Sequence, residues 1–462
     1  MSRLKTVYLV SPYRQQWQHY LSPGPFWTQT CTRLATFPCY HSTHDKEQQL
    51  TMQQAVLHHF PDKQATYKFT LRDKSALFTR QAFRLFQETV NNFGRLALTD
   101  EEHSWLATSC PYLTAEYLIS LRNFRFRPQE QVVLTFVPAT AAYDSAGHIE
   151  IDISGLWADT IFWEVPLMAC LSEIYFTHVV TDWSYEGQKE LAYDKATALL
   201  RADCVFSEFG TRRRRSFATQ DIVLKSLIKA TEDVKSNGKL AGTSNVYLAY
   251  KYNLVPVGTI AQCRVVYGGQ VSVDLISVLN FNLQVGRSTQ RLPRCQLGRH
   301  GSVGNRVPKR APHRFDRYLL ERRILQGNAT DRREAIELIF NESYSSNTER
   351  AIRWQGLRQD SGDPFAFGIK AKDAFESLNI DPRSKTVIYS DGLSVDKSLR
   401  LKEQANELGL NVSFGIGTFL TNDFKSASGG PSKALNMVIK LSTIDGKPCV
   451  KISDDLTKAG SS

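Results

Sequence analysis

The segment Gly356-Leu357-Arg358-Gln359-Asp360-Ser361-Gly362-Asp363-Pro364 places a guanidinium, two carboxylates and a hydroxyl within a few residues of two glycines. A loop of this composition can hold an anionic, hydroxyl-rich ligand. Arg358 would face acid groups through its planar fork of N–H donors, and Asp360 would face sugar hydroxyls or a hard metal ion. An Asp-Ser-Gly-Asp turn can also do no more than cap a helix, so the reading depends on its company. That company includes Glu208-Phe209-Gly210-Thr211-Arg212-Arg213-Arg214-Arg215-Ser216, Val255-Pro256-Val257-Gly258-Thr259-Ile260-Ala261, Ser390-Asp391-Gly392-Leu393 and Gly415-Ile416-Gly417-Thr418. Arg212, Arg213, Arg214 and Arg215 offer forks to phosphate or carboxylate, the bland alternative being a solvated helix-end patch. The N–H groups of Gly417 and Thr418, with the Thr418 hydroxyl, suit a phosphate, the alternative being an ordinary glycine turn.

The elements that must position these groups are clearest in the C-terminal third. Residues 385–390 read as a short buried strand and 391–393 as its exit loop. Residues 395–408 carry helical apolar spacing up to Gly409, and 411–416 form the next strand, with 417–418 leaving it. Strand, helix, strand at this spacing is a right-handed βαβ unit with parallel strands. Its glycine-bearing loops then share the carboxyl edge, the active-site face of an α/β barrel. Upstream, the sequence predicts a helix over 51–60 ended by Pro61, a strand over 65–70, an apolar strand over 132–137 and helices over 192–202 and 219–231. Residues 242–245 read as a small polar loop.

The chain has 462 residues, 42% hydrophobic and 22% charged, which suits a globular protein of two domains. No apolar run reaches membrane-spanning length and no signal peptide is evident, so the expectation is the cytosol, with the nucleus open as well, and no membrane partner. The eight cysteines show no metal spacing and read as reduced thiols. His58, His59 and His178 also lack ligand spacing. The net charge of +11 is local: residues 287–323 hold eleven Arg and Lys against Asp316 and Glu321. That stretch lacks interleaved aromatics and any nucleic-acid-binding motif, so the expectation is no nucleic acid, although a basic nucleic-acid-binding protein is the competing class.

The loops quoted above stand in the same order as in nicotinate phosphoribosyltransferases, and the chain resembles the fungal and bacterial type over about 50–261 and 347–458. The resemblance implies an α/β fold: an irregular α/β barrel of the type II phosphoribosyltransferases with a smaller α+β N-terminal domain, commonly a homodimer. It implies transfer of 5-phosphoribose from phosphoribosyl pyrophosphate to nicotinate in NAD salvage, with ATP as co-substrate and Mg2+ on the pyrophosphate. By matching position, Arg358 and Thr259 would meet nicotinate, Asp360 the ribose and metal, and Thr418 with Gly417 the phosphoribosyl phosphate. Ser390, Asp391 and Gly392 would be supporting loop residues. The family's phosphate-accepting histidine falls at Gln262, which cannot serve as that nucleophile. Nicotinamide- or quinolinate-specific transfer, and a non-catalytic binder of phosphoribosyl pyrophosphate, remain as alternatives.

The domain reading is 1–49 aberrant, 50–150 an N-terminal α+β domain, 151–262 and 346–430 the barrel, 263–345 an aberrant basic insertion, and 431–462 a C-terminal segment that the resemblance makes truncated. Both aberrant stretches stand where family motifs are missing. Codons for residues 25–33, read one nucleotide earlier, can spell Ser-Leu-Leu-Asp-Thr-Asp-Leu-Tyr-Lys, which contains the family's missing helix opening. Codons for 302–308 and 315–320, read one nucleotide later, can spell Leu-Trp-Glu-Thr-Val-Tyr-Pro and Leu-Thr-Asp-Thr-Phe-Ser, again family segments. Out-of-frame coding sequence, with retained non-coding stretches near 33–49 and 263–284, would account for this and would leave no selected hydrophobic pattern there. Sequencing of the mature messenger is expected to show no in-frame codons for Trp27 and Arg314; finding both in frame would remove this explanation.

Overall fold

The computed structural model describes residues 46–142, 145–258, 264–267, 270–274, 352 and 356–449. Its helices in chain order are α1 (Lys46–His59), α2 (Arg80–Asn91), α3 (Asp100–Ser109), α4 (Ala115–Asn123), α5 (Pro128–Gln131), α6 (Trp157–Thr160), α7 (Glu164–His178), α8 (Gln188–Arg201), α9 (Phe217–Asp233), α10 (Val246–Tyr252), α11 (Pro364–Ser377), α12 (Val395–Leu408) and α13 (Thr418–Thr421). Two five-stranded sheets, each with its own apolar core, organise them.

The first sheet is antiparallel among its described pairs. It is built from β1 (Gln64–Leu71), β2 (Val132–Pro138) and β3 (Gly147–Leu156), completed by β13 (Met437–Ile444) and β14 (Lys447–Pro448) from the far end of the chain. The order is β14-β13-β1-β3-β2. Strand β3 alternates buried Ile149, Ile151 and Ile153 with exposed Glu150, Asp152 and Ser154, the period-two pattern of a sheet with one wet face. Under its dry face Phe93, Phe126 and Trp163 pack ring on ring, and the Trp163 indole N–H donates to Gln131 Oε1 at 2.9 Å. Residue 150 therefore lies inside a strand of this sheet, and α7 belongs to the same core.

The second sheet is parallel, in the order β5-β4-β10-β9-β8, with β4 Val205–Glu208, β5 Lys239–Thr243, β8 Gly356–Gln359, β9 Thr386–Tyr389 and β10 Asn411–Ile416. The unit expected over 385–418 is present: β9 and β10 run parallel, joined by α12. Ser394 caps that helix and Gly409 ends it at φ 69°, a left-handed conformation that glycine takes without strain. Gly356 has a different reason to lack a side chain. A Cβ there would lie 1.7 Å from the Thr386 carbonyl oxygen, so only glycine lets β8 pair with β9 and bring Arg358 level with Ile388.

Three expectations change. Gly242 and Thr243 end strand β5 rather than forming a free polar loop, because the parallel partner β4 supplies their backbone bonds. Helix α1 begins at Lys46, inside the stretch expected to be foreign, and Gln49 there is buried, donating to the Ile161 carbonyl at 3.4 Å. Gly417–Thr418 is a sharp exit from β10, but Thr418 then opens a helical turn. Strands β6 (Arg264–Tyr267) and β7 (Gln270–Asp274) pair with each other, as do β11 (Phe424–Lys425) and β12 (Pro431–Ser432), outside both larger sheets. The rest of 1–45, 275–351 and 450–462 lies outside the described residues.

Candidate active site at the carboxyl edge of the parallel sheet

Parallel strands put every exit loop on one edge. Five segments meet there: 209–216 after β4, 244–245 after β5, 360–363 after β8, 390–393 after β9 and 417–422 after β10. Glu208, the last residue of β4, has no solvent exposure. Its carboxylate accepts from Gly210 N–H, from Gln220 Nε2 at 2.8 Å and from Thr243 Oγ1 at 2.6 Å. Gln220 also donates to Thr211 Oγ1 at 2.5 Å, and the Asn245 amide reaches Gln220 Oε1 at 3.3 Å. A buried carboxylate needs such donors. Meeting that need ties β4, β5, α9, α10 and the arginine loop into one body.

The four adjacent arginines have different fates. Arg212 pairs with Glu164 at 3.4 Å, at the start of α7. Burial pushes its pKa down; the carboxylates of Glu164 and Asp360 oppose that push, and Arg72 and Arg358 add to it. Arg213 donates through Nε and Nη2 to the Met437 carbonyl at 3.2 and 3.0 Å. Its pKa falls to about 9, from burial first and then from Arg212 and Arg72, with Asp391 and Glu164 opposing. A guanidinium keeps its proton in the working pH range, so this electrostatic pressure is relieved by an incoming anion.

Of the four arginines offered as substrate-binding, Arg214 and Arg215 point away from the rim. Arg214 donates to Gln220 Oε1 at 3.1 Å, lies 3.9 Å from Glu173 and covers the Phe217 ring. Arg215 is fully buried, bonds Ser432 Oγ and O at 3.0 and 2.9 Å, and is wrapped by Phe176, Phe424 and Trp183. Both side chains are buried against the protein's own acceptors and rings, which keeps them away from the rim.

On the neighbouring strands, Arg358 Nε donates to Ser390 Oγ at 2.8 Å, and Arg358 Nη2 meets Asp360 Oδ1 at 2.8 Å. Ser390 in turn donates to the Gln359 carbonyl at 3.0 Å. Gly392 turns the β9 exit loop at φ 57°. The loop after β10 braces the arginine loop directly. Asn422 Nδ2 donates to the Arg213 carbonyl at 2.7 Å, and Thr421 Oγ1 to the Gly210 carbonyl at 2.9 Å. A Cβ on Gly417 would sit 3.3 Å from the Phe209 carbonyl oxygen, so these two loops lie against each other at the rim. Arg212, Arg213, Arg358, Asp360, Ser390, Asp391, Gly392, Gly417 and Thr418 thus share one rim. Thr259 and Gln262 lie outside the described residues.

Two members of this rim were not singled out from sequence. Arg72 follows β1, where its N–H donates to the Asn436 carbonyl at 2.8 Å, and its charge bears on both Arg212 and Arg213. Glu164 supplies the opposing carboxylate. Both come from the first sheet's half of the molecule, so the site lies where the two cores meet.

A cationic rim with carboxylates and hydroxyls at the carboxyl edge of a parallel sheet defines a binder of phosphorylated, sugar-like ligands. The comparisons make the assignment specific. Residues 204–461 match the model of the nicotinate phosphoribosyltransferase (NAPRTase) family, and residues 45–172 match its N-terminal domain. A Schizosaccharomyces pombe protein bearing the nicotinate phosphoribosyltransferase name is 37% identical over 413 residues, 88% of this chain and 91% of that protein. The Saccharomyces cerevisiae nicotinate phosphoribosyltransferase is 34% identical over 416 residues, 88% of this chain and 89% of that protein. A structure of that name from S. cerevisiae superposes with a TM-score of 0.72 at 31% identity, covering 92% of this chain and 94% of the other. One from Vibrio cholerae gives 0.66 at 27% identity, with 92% of each chain covered. The chain belongs to the nicotinate phosphoribosyltransferase family.

The division among the arginines is testable. Arg213→Met should weaken binding of inorganic pyrophosphate by about tenfold to a hundredfold, the range of one or two charge-assisted hydrogen bonds, with little change in melting temperature. Arg215→Met should instead lower the melting temperature. Titration calorimetry and thermal melting together read both; the reverse pattern would contradict the division.

Proposed function

We propose that this chain is built for nicotinate phosphoribosyl transfer, forming nicotinate mononucleotide and pyrophosphate from nicotinate and phosphoribosyl pyrophosphate. The observation that carries this is the convergence of Arg212 and Arg213 with the Arg358–Asp360 pair on one sheet edge. As pyrophosphate departs, positive charge grows on the ribose and negative charge on the leaving group. Arg212, Arg213 and Arg72 would stabilise the leaving group, while Asp360 and Asp391 would sit on the cationic side. Arg358, fixed by Ser390 and Asp360, would present its remaining face to the nicotinate carboxylate. Amides of Gly417 and Thr418 would hold the ribose phosphate. An acid-binding guanidinium favours nicotinate over nicotinamide.

Magnesium suits this donor set. It keeps several waters and is commonly held by one or two carboxylates together with substrate phosphates. Asp360, 28% exposed and at the end of β8, fits such a role, and no cluster of three or more acidic, histidine or cysteine ligands occurs among the described residues. The ion would neutralise charge building on the pyrophosphate.

ATP coupling is the part of the family reaction that this chain is poorly equipped to perform. Coupling through a phosphorylated side chain calls for a neutral imidazole nucleophile, and the matching position carries the carboxamide of Gln262. The aspartate that would orient such a ring falls in the stretch read as out of frame. A homodimer also belongs to the proposal, as do altered segments over 1–45 and 263–345, helix α1 claiming the chain from Lys46 onward. No helix among the described residues is long and apolar enough to cross a membrane.

With the purified chain, nicotinate mononucleotide formation is expected to be low and unstimulated by ATP, and Gln262→His alone should not restore stimulation. Robust ATP-stimulated turnover of the unaltered chain would contradict the proposal.

A further inference from the structure

Lys195 is a lysine on α8 whose side chain is only 7% exposed. Its Nζ donates to the Phe419 carbonyl at 2.6 Å and to Asp423 Oδ2 at 2.6 Å, and it lies 4.0 Å from the centre of the Phe419 ring. Gln188, two helical turns earlier and on the same face, donates to the Asp423 carbonyl at 3.3 Å. Helix α8 therefore grips the turn after β10 at its middle and at its end. That turn grips the arginine loop in its own right. Asn422 donates to the Arg213 carbonyl, Thr421 to the Gly210 carbonyl, and Arg215 N–H to the Thr421 carbonyl at 2.9 Å.

An ammonium is costly to bury. Desolvation pulls the Lys195 pKa down, with the Asp423 carboxylate opposing. A leucine or methionine of similar reach would pack the same space without that cost, since replacing a buried ion pair by apolar groups is often neutral for stability. What an apolar side chain cannot do is fix the direction of a carbonyl and a carboxylate at once. The charge is therefore better explained by geometry than by stability.

We propose that Lys195 is a positioning residue for the phosphorylated substrate: it fixes the 418–423 turn, and through Asn422 and Thr421 the loop of Arg212 and Arg213, in the arrangement that takes pyrophosphate and ribose phosphate. This rests on the phosphate-binding reading of those two loops. The nicotinate-facing Arg358 hangs on β8, separated from β10 by β9, and its hydrogen bonds to Ser390 and Asp360 come from the exit loops of β9 and β8 rather than from the 418–423 turn. The inference thus separates the two substrates.

The test is titration calorimetry of the full chain with magnesium phosphoribosyl pyrophosphate and, separately, with nicotinate. Lys195→Met leaves Asp423 able to face solvent, since its side chain is already 42% exposed, so the fold should survive. Its affinity for phosphoribosyl pyrophosphate should fall by about tenfold, the scale of a small displacement of binding groups, with nicotinate affinity unchanged. Lys195→Arg, which keeps the charge and both acceptors, should recover most of the loss. Asp423→Asn, a milder change at the surface, should shift affinity in the same direction by less. Equal losses for both ligands, or wild-type affinity in Lys195→Met, would overturn the inference while leaving the site reading intact. An unaltered chain that binds no phosphoribosyl pyrophosphate would overturn the site reading and the inference with it.

Discussion

A single buried carboxylate constrains much of this site. Glu208 lies at the end of a central parallel strand with no access to water. Left without donors, such a charge would cost several kcal/mol. Here the first turn of the arginine loop, the amide of Gln220 on α9 and the hydroxyl of Thr243 on β5 answer it together. The loop that carries Arg212 and Arg213 is therefore not free to wander, because its entry is a ligand of Glu208. Its exit is fixed by Arg215, locked among three aromatic rings and Ser432. Two cations are thus held in like-charge proximity between two rigid ends. A flexible loop would relax that repulsion by moving apart; this one keeps it for an anion.

The half of the molecule around the antiparallel sheet contributes more than bulk. β13 returns from the C-terminal side to pair with β1, and this places the Met437 carbonyl under the Arg213 guanidinium and Arg72 beside it. Glu164, at the first residue of α7, balances part of the positive charge. The site is consequently a seam between two cores rather than a cleft within one, in keeping with a family whose N-terminal and main domains match separate models.

Much of this was legible in the sequence. The unit from β9 to β10 was readable because its strands are short and apolar, its helix has a serine at one end and a glycine at the other, and its two strands pair with each other. The grouping of Ser390 and Asp391 with Gly417 and Thr418 followed from parallel strands sharing an edge, whereas Arg358 joined them only through the resemblance to the family. Other features could not be read. Four consecutive arginines look alike on paper, and only the turn at 211–213 followed by extended backbone at Arg214 sends two toward the rim and two inward. Arg72, Glu164 and β13 are remote in sequence from the loop they serve, Glu164 by 48 residues and Met437 of β13 by 224, and no local pattern encodes such partners. Lys195 gave no signal either, since a lysine in an amphipathic helix reads as solvated surface until its burial is known.

The central claim is that these loops form one pocket for one pair of substrates. A crystal structure of the chain with magnesium phosphoribosyl pyrophosphate and nicotinate measures it most directly. The account predicts phosphate oxygens within hydrogen-bonding distance of Arg213 and of the Gly417–Thr418 amides, with the nicotinate carboxylate against Arg358. Density for either ligand on a different surface, with Arg213 and Arg358 facing only solvent, would contradict it.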